Sequence, residues 1–226
     1  MYYTPSIAST VRANPSAGFS IVKFTSADGT VGHGLNAAPH AIIAKRTDAA
    51  YTWSTFWHDL GNQKYIALNS SNAASTYTSI WGTAMPTSSV FGFNTANVPS
   101  GGEVIAYCFA PVEGYSAMGS YTGNGSTDGP FVYTGFKVAW LMVKNTTTSG
   151  ETWTIYDAAR DPQNLATNRL QPNSSDAETS GTAARDKDFL SNGFKVRGGS
   201  GEQNTSGDNY VYLAFAENPF KTARAR

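Results

Sequence analysis

The sequence predicts an all-β protein made of two tandem antiparallel β-sandwich repeats of jelly-roll or lectin-like type. Three observations predict it. Only 14% of the 226 residues are charged, while 13% are aromatic and 22 are glycine, a balance suited to many short strands joined by polar turns. Large apolar residues fall at every second position, or in short β-prone runs, in FSIVKF, TWSTFW, KYIAL and YVYLAF, which is the pattern of strands. One order of local signals also occurs twice along the chain, the mark of an internal repeat.

The repeat sets the element order. FSIVKFT from Phe19 corresponds to YSAMGSYT from Tyr115, each an apolar strand ending in an aromatic-Thr pair. HGLNAAPHAIIAKRT corresponds to TGFKVAWLMVKNT, where a Gly-apolar pair leads into a strand closed by Lys45 or Lys144. YTWSTFWHDLG and ETWTIYDAARD are in register at Thr52-Trp53 and Thr152-Trp153, and NSSNA from Asn69 answers NSSDA from Asn173. Last, GEVIAYCFAPVEGY pairs with DNYVYLAFAENPF, matching Phe109-Ala110 to Phe215-Ala216. The expected organisation is an N-terminal arm over 1–17, one sandwich over 18–114, a second over 115–220 and a C-terminal tail over 221–226. Each copy is long enough to close its own core. Pro86, Pro99, Pro172 and Pro219 fall in connections or at strand ends, as sheets require. DAARDPQNLATNRLQ is the segment least like a strand and is expected to be a loop with a helical turn.

The glycine-rich stretch YTGNGSTDGPFVYTGF, 121–136, raises the question of a phosphate loop. Gly123, Gly125 and Gly129 are spaced GxGxxxG, no Lys-Ser or Lys-Thr follows, and Phe131-Val132-Tyr133 favours a strand in place of the helix such a loop needs. Asn124-Gly125 and Asp128-Gly129 are instead turn-forming pairs, and a hairpin connection is expected, with SADGTVGHG as its counterpart in the first copy.

Composition also excludes classes of function. Sixteen basic residues balance sixteen acidic ones, so no long-range field draws the chain to nucleic acid or an anionic membrane. A single cysteine, Cys108, excludes an intrachain disulfide and a cysteine-based zinc site. Within VIAYCFAP it reads as a small buried apolar side chain. The start, MYYTPSIAST, lacks the features of a secretory signal, and the longest apolar run, VAWLMV, is far short of the roughly 20 residues that span a bilayer as a helix.

No constellation for catalysis emerges. His33, His40 and His58 have no recognised metal spacing, even with Asp59 nearby, and no metal or cofactor is expected. Asp157, Asp161, Asp176, Glu178, Asp186 and Asp188 cluster in the second half, where two carboxylates could serve glycoside hydrolysis, but nothing in the sequence fixes such a pair. Asp/Asn-rich loops lack EF-hand spacing, and no serine sits in a GxSxG elbow. Aromatic residues are the better binding candidates. Trp53 and Trp153 recur at one place in both copies and are expected in the cores, with Phe109 and Phe215. Trp57 and Trp81 lack aromatic counterparts and are the candidates for a ligand or subunit interface.

The phrases GFSIVKFT…GTVGHGLNAAPHAIIAKR, VIAYCFAPVEGYSAMGSYTGNGSTDGPFVYTGF, DFLSNGFKVRGGSG and YVYLAFAENPFKTARAR resemble a repeat found near the C-termini of tail-fibre-like and other virion structural proteins of bacteriophages, especially phages of marine and freshwater bacteria. The resemblance covers nearly the whole chain after about residue 15. It implies a location in the virion, β-sandwich folds similar to concanavalin-like lectins, and no catalytic residue. It also implies assembly as a homo-oligomer, expected to be a trimer, with other tail or capsid proteins and a host surface glycan or protein as partners. The function expected on this basis is non-enzymatic: tail fibre or virion-surface attachment to the host, with capsid decoration as the alternative within the virion. A carbohydrate-active enzyme on the same sandwich and a free lectin-like module are the competing expectations, the latter disfavoured by the missing export signal.

Overall fold

Alternation dictates the strands. In Phe19–Thr25 the residues Ser20, Val22 and Phe24 are buried while Lys23 and Thr25 face solvent, and Glu103–Phe109 buries Val104, Ala106 and Cys108 in the same way. The computed structural model describes residues 4–77, 80–96, 98–180 and 183–218; the expected tail over 221–226, and Pro219, lie outside them. The protein is all-β, with several antiparallel sheets, and no described helix is long and apolar enough to cross a membrane.

The chain divides into two units. Unit 1 comprises Met1–Asn69 and Ala74–Pro111; unit 2 comprises Ser70–Ala73 and Val112–Arg226. In unit 1 the strands are β1 (Ser9–Asn14), β2 (Phe19–Thr25), β3 (Gly29–Gly32), β4 (Ala41–Arg46), β5 (Ser54–Trp57), β6 (Lys64–Ala67), β7 (Ser75–Thr76), β8 (Val90–Phe93) and β9 (Glu103–Phe109). One sheet runs β1-β2-β9-β4-β5-β6-β7, and β3 pairs with β8 in a second. Strand β1 lies within the expected arm, yet it is paired residue for residue with β2, from Ser9 opposite Phe24 to Asn14 opposite Phe19. Asn14 turns the chain between them, its side chain accepting from Ala17 N, and Gly18 takes up φ +62° after the short turn.

In unit 2 the strands are β10 (Ser116–Thr122), β11 (Phe131–Tyr133), β12 (Val138–Asn145), β13 (Thr154–Asp157), β14 (Lys187–Leu190), β15 (Gly193–Val196) and β16 (Asn209–Ala216). They form the sheets β10-β16-β12-β13 and β11-β15-β14. The order β2-β9-β4-β5 in unit 1 is thus the order of β10-β16-β12-β13 in unit 2. Registers agree as well. Thr25 faces Glu103 as Thr122 faces Asn209. Lys45 faces Ile105 as Lys144 faces Val211, and Ala44 faces Ser54 as Val143 faces Thr154.

Each unit has its own apolar core. In unit 1 Val22, Phe24, Ile42, Phe56, Val104 and Cys108 of the larger sheet share a cluster with Val31, Phe91 and Phe93 of the smaller. Phe24 meets Phe93 edge to face with ring centroids 4.9 Å apart, a favoured aromatic geometry. In unit 2 Leu141, Val143, Tyr156, Tyr210 and Tyr212 pack with Val132, Phe189, Phe194 and Val196.

The glycine-rich stretch after β10 turns the chain, but not as a hairpin. Strands β10 and β11 lie in different sheets, so the loop is a corner between them. The N–H groups of its three glycines are engaged by backbone: Gly123 N donates to Asp208 O at 2.8 Å, Gly125 N to Asn204 O at 2.9 Å and Gly129 N to Val196 O at 3.1 Å. A Cβ on Gly123 would come within 2.2 Å of Thr205 O, which explains why a residue without a side chain stands there. The segment 157–171 contains turns and isolated bridges, Ile155 with Leu170 and Ala166 with Lys187, in place of a helical turn.

Candidate interaction site

The connection from β4 to β5 in unit 1 leaves a cavity of about 520 Å³ lined by Lys45, Ala50, Tyr51, Thr52, Trp53 and Asn69. The sequence builds it from two anchors. The side chain of Asn69, just past β6, accepts from Trp53 N at 3.0 Å, fixing the entry to β5. Lys45, at the end of β4, donates from Nζ to Tyr51 O at 2.5 Å and stands 5.9 Å from the Trp53 ring centroid. Arg46 lies 5.0 Å from the Tyr51 ring centroid and pairs with Asp48 at 2.5 Å. Tyr51 is 38% exposed and Trp53 is half-buried, so two aromatic side chains and two cations border one open surface, chemistry suited to binding by stacking and polar contact.

A second cavity in unit 1, of about 410 Å³, is bordered by Asp28, Thr30, Gly82, Met85, Gly92 and Phe93 among others. Its one acid is already engaged: Asp28 accepts from Thr95 N and Oγ1, each at 2.7 Å, and these bonds hold its carboxyl below the ordinary value.

The tryptophans sort differently from expectation. Trp57 and Trp81, the interface candidates, are 2% and 0% exposed. Trp57 Nε1 donates to Thr55 Oγ1 at 3.0 Å, and Trp81 packs edge-on to Phe56 and Phe93. Neither presents a ring at the surface of this chain: Trp81 belongs to the apolar core of unit 1, while Trp57 follows the core residue Phe56 on β5 and is buried outside that cluster. Trp153 is fully buried as expected, whereas Trp53 is not. Phe109 and Phe215, expected in the cores, sit on the opposite face of their strands, one residue out of phase with Cys108 and Ala214. There Phe109 meets Phe19 at 5.0 Å and Phe215 meets Trp140 at 5.7 Å. Sequence reasoning passed over Tyr51, Lys45 and Asn69 as cavity-lining residues; the matched Lys, Thr-Trp and Asn-Ser-Ser signals were the trace that could have found them.

Several acids of the second half are engaged with neighbours, whereas Asp176 is exposed and Asp186 Oδ1 has no hydrogen-bond partner among the described residues. Asp157 pairs with Arg160 at 2.6 Å, and Arg160 with Glu178 at 2.9 Å. Asp161 accepts from Thr167 N, Asn168 N and Asn168 Nδ2 at 2.6–2.7 Å. Asp188 pairs with Arg197. Glu202 holds Arg169 and lies 2.7 Å from Arg185. Burial pushes the Asp186 carboxyl above its ordinary value and the Lys187 amine well below its own. Lys187 Nζ sits 4.8 Å over the Tyr156 ring. Burial also lowers the Lys144 amine to about 8.

The histidines do not converge on a site. His33 is buried, with Nε2 3.1 Å from Thr87 O, while His40 and His58 stack at 4.4 Å. Among the described residues no group of three or more His, Cys, Asp or Glu is placed to hold a metal ion.

No curated protein and no solved structure matches the chain. One family model does, over residues 3–219. The chain therefore belongs to the family described as Domain of unknown function (DUF7483).

Proposed function

We propose that this protein is a non-enzymatic structural module of a bacteriophage virion, serving in a tail fibre or on the virion surface in attachment to the host. In this reading the chain is a duplicated pair of β-sandwiches, and it meets its partners, other virion proteins and a host surface glycan or protein, in several copies. The resemblance of its phrases to phage fibre repeats supports the virion, and the common strand order and register of units 1 and 2 support the duplication. The observation that carries the non-enzymatic part is the fate of the second-half carboxylates. Asp157, Asp161 and Asp188 each hold an arginine or a set of amide donors, so they act as ties within unit 2. A glycosidase pair would instead leave two carboxyls facing one sugar-sized gap. The open surface at Tyr51 and Trp53 supports attachment, since exposed aromatic rings stack on sugars and on protein side chains.

Antibody labelling of purified particles tests the location. Gold over the tail supports the attachment role; gold over the head would move the reading to capsid decoration, and a chain absent from particles ends it. Incubation with host surface polysaccharide tests the chemistry. Release of reducing ends, abolished by Asp157→Asn or Asp161→Asn, would replace attachment with hydrolysis.

A further inference from the structure

One corner of the fold is covered in unit 2 and open in unit 1. The four residues Ser70–Ala73 belong to unit 2 although the chain before and after them belongs to unit 1. They cover the corner between β12 and β13. Ser71 O accepts from Gly150 N at 3.0 Å and from Lys144 Nζ at 3.4 Å, and Ala73 N donates to Ser149 Oγ at 3.0 Å. Side chains on this face are shut from water: Lys144 and Trp153 are 0% exposed, and Met142, Val211 and Leu213 are 4% or less. The shared register puts Lys45, Trp53, Ile43, Ile105 and Tyr107 at the same places in unit 1, and all five are only partly buried.

The covering segment has a twin. Asn69 accepts from Trp53 N at 3.0 Å, and Asn173 accepts from Trp153 N at 3.0 Å. Ser70 Oγ accepts from Asn72 N at 3.1 Å, and Ser174 Oγ accepts from Asp176 N at 3.0 Å. Sequence and hydrogen bonding thus make Asn173–Ala177 a second copy of Asn69–Ala73. The first copy is covering a corner; in the second, Ser175, Asp176 and Ala177 are exposed.

We propose that the chain assembles head to tail, with Ser174–Ala177 of one copy docked on the open Lys45–Trp53 corner of the next, repeating the seat of Ser70–Ala73 in unit 2. The docking loop has the turn of the loop that already fills the corner in unit 2. The receiving β4–β5 connection is one residue shorter than β12–β13, and Lys45 Nζ, which now donates to Tyr51 O, would turn to the docked carbonyl as Lys144 Nζ does to Ser71 O. Charge complementarity is added: Asp176 replaces Asn72, and the open corner bears Lys45 beside the Arg46–Asp48 ion pair. One such contact is small, so it is weak alone and gains strength as copies add. Being heterologous, it builds a ring where the rotation closes and a filament where it does not. The inference rests on the equivalence of the two units and is independent of the virion location.

Cysteine cross-linking tests it. Cys108 is fully buried and burial pushes its thiol up to about 12, so it stays out of the reaction. Within one chain, Ala73→Cys with Ser149→Cys should close a disulfide across the covered corner. The corresponding pair between chains is Ala177→Cys and Ala49→Cys, placed on separate proteins and then mixed. Docking raises their effective concentration, and an interchain disulfide should form at least about tenfold faster in the mixture than in either variant alone. Asp176→Lys in the Ala177→Cys protein should remove most of that gain. A mixture that reacts no faster than the single variants, while the Ala73/Ser149 pair closes, overturns the assembly and leaves the virion reading untouched. Failure of the Ala73/Ser149 pair overturns the template contact itself, and gain that survives Asp176→Lys overturns the charge complementarity.

Discussion

Unit 1 and unit 2 hold a lysine, a tryptophan and an asparagine at three matching positions and expose them differently. Lys144 and Trp153 are buried while Lys45 and Trp53 are reached by solvent. Both units make the same bond from the asparagine to the tryptophan backbone. At the lysine the partners differ: Lys144 Nζ donates to Ser71 O, whereas Lys45 Nζ donates to Tyr51 O of its own connection. Local sequence therefore sets the shape of this corner, and long-range packing sets its energetics.

Truncating the two tryptophans should separate these contributions most clearly. Trp153→Ala removes a fully buried ring and should cost about 3–5 kcal/mol. Trp53→Ala removes a ring that water already reaches and should cost about 1 kcal/mol. Chemical denaturation of the two variants measures both. Equal losses would mean that Trp53 is as thoroughly packed as its counterpart, and the open corner would vanish with that result.

Most of this architecture was legible in the sequence, because period-2 alternation and the order of paired signals are local and survive without tertiary context. The repeat led from Thr52-Trp53 and Thr152-Trp153 to strand starts that do coincide in register. Reading failed where the outcome depends on what a face packs against. Phe109 and Phe215 look like core residues by size, yet the alternation of Cys108 and Ala214 puts the small residue inward and the aromatic outward. Trp57 and Trp81 lacked partners in the other copy and so looked available, but Trp81 fills the core of unit 1 and Trp57 is buried beside it, outside the core cluster. The Asn-Gly and Asp-Gly pairs marked a turn correctly and its destination wrongly, since turn chemistry is the same for a hairpin and for a corner between sheets. The match of NSSDA to NSSNA paired Ser175 and Asp176 with Ser71 and Asn72, but a sequence match does not say that Ser71 is seated on a corner.

The covered lysine gives the next effect. Burial lowers the Lys144 amine from 10.5 to about 8, partly offset by the nearby Glu151 carboxylate. Below about pH 8 the folded protein holds a charge it disfavours, and the unfolded chain does not share that cost. Between about 8 and 10.5 the unfolded state binds more protons than the folded one, so stability rises with pH through that window. Lys144→Met removes the titration. The stability of the parent relative to this variant should therefore climb by about 2–3 kcal/mol from pH 7.5 to pH 10.5, with other titrating groups cancelling in the difference. A flat difference would mean that water reaches Lys144 Nζ and that the corner is less well covered than its side chains indicate.

The smallest effect is the most discriminating. Asn69 and Asn173 accept from tryptophan N–H groups at the same 3.0 Å, so geometry alone predicts equal worth. Solvent access predicts otherwise. Removing Asn173 leaves a donor of the buried Trp153 short of its acceptor where water enters poorly, and Asn173→Ala should cost about 1–2 kcal/mol. Asn69 is exposed, water can replace its carboxamide, and Asn69→Ala should cost about 0.5 kcal/mol. Asp at either position keeps an acceptor and should recover most of the loss, which separates the hydrogen bond from any packing of the carboxamide. If both alanine variants lose the same amount, the bond's value is set by its length and the cover over unit 2 is irrelevant to it. If the Asn69 loss grows with protein concentration towards that of Asn173, a second chain is covering the corner in unit 1, because only an intermolecular lid makes the energy of one hydrogen bond depend on how many molecules are present.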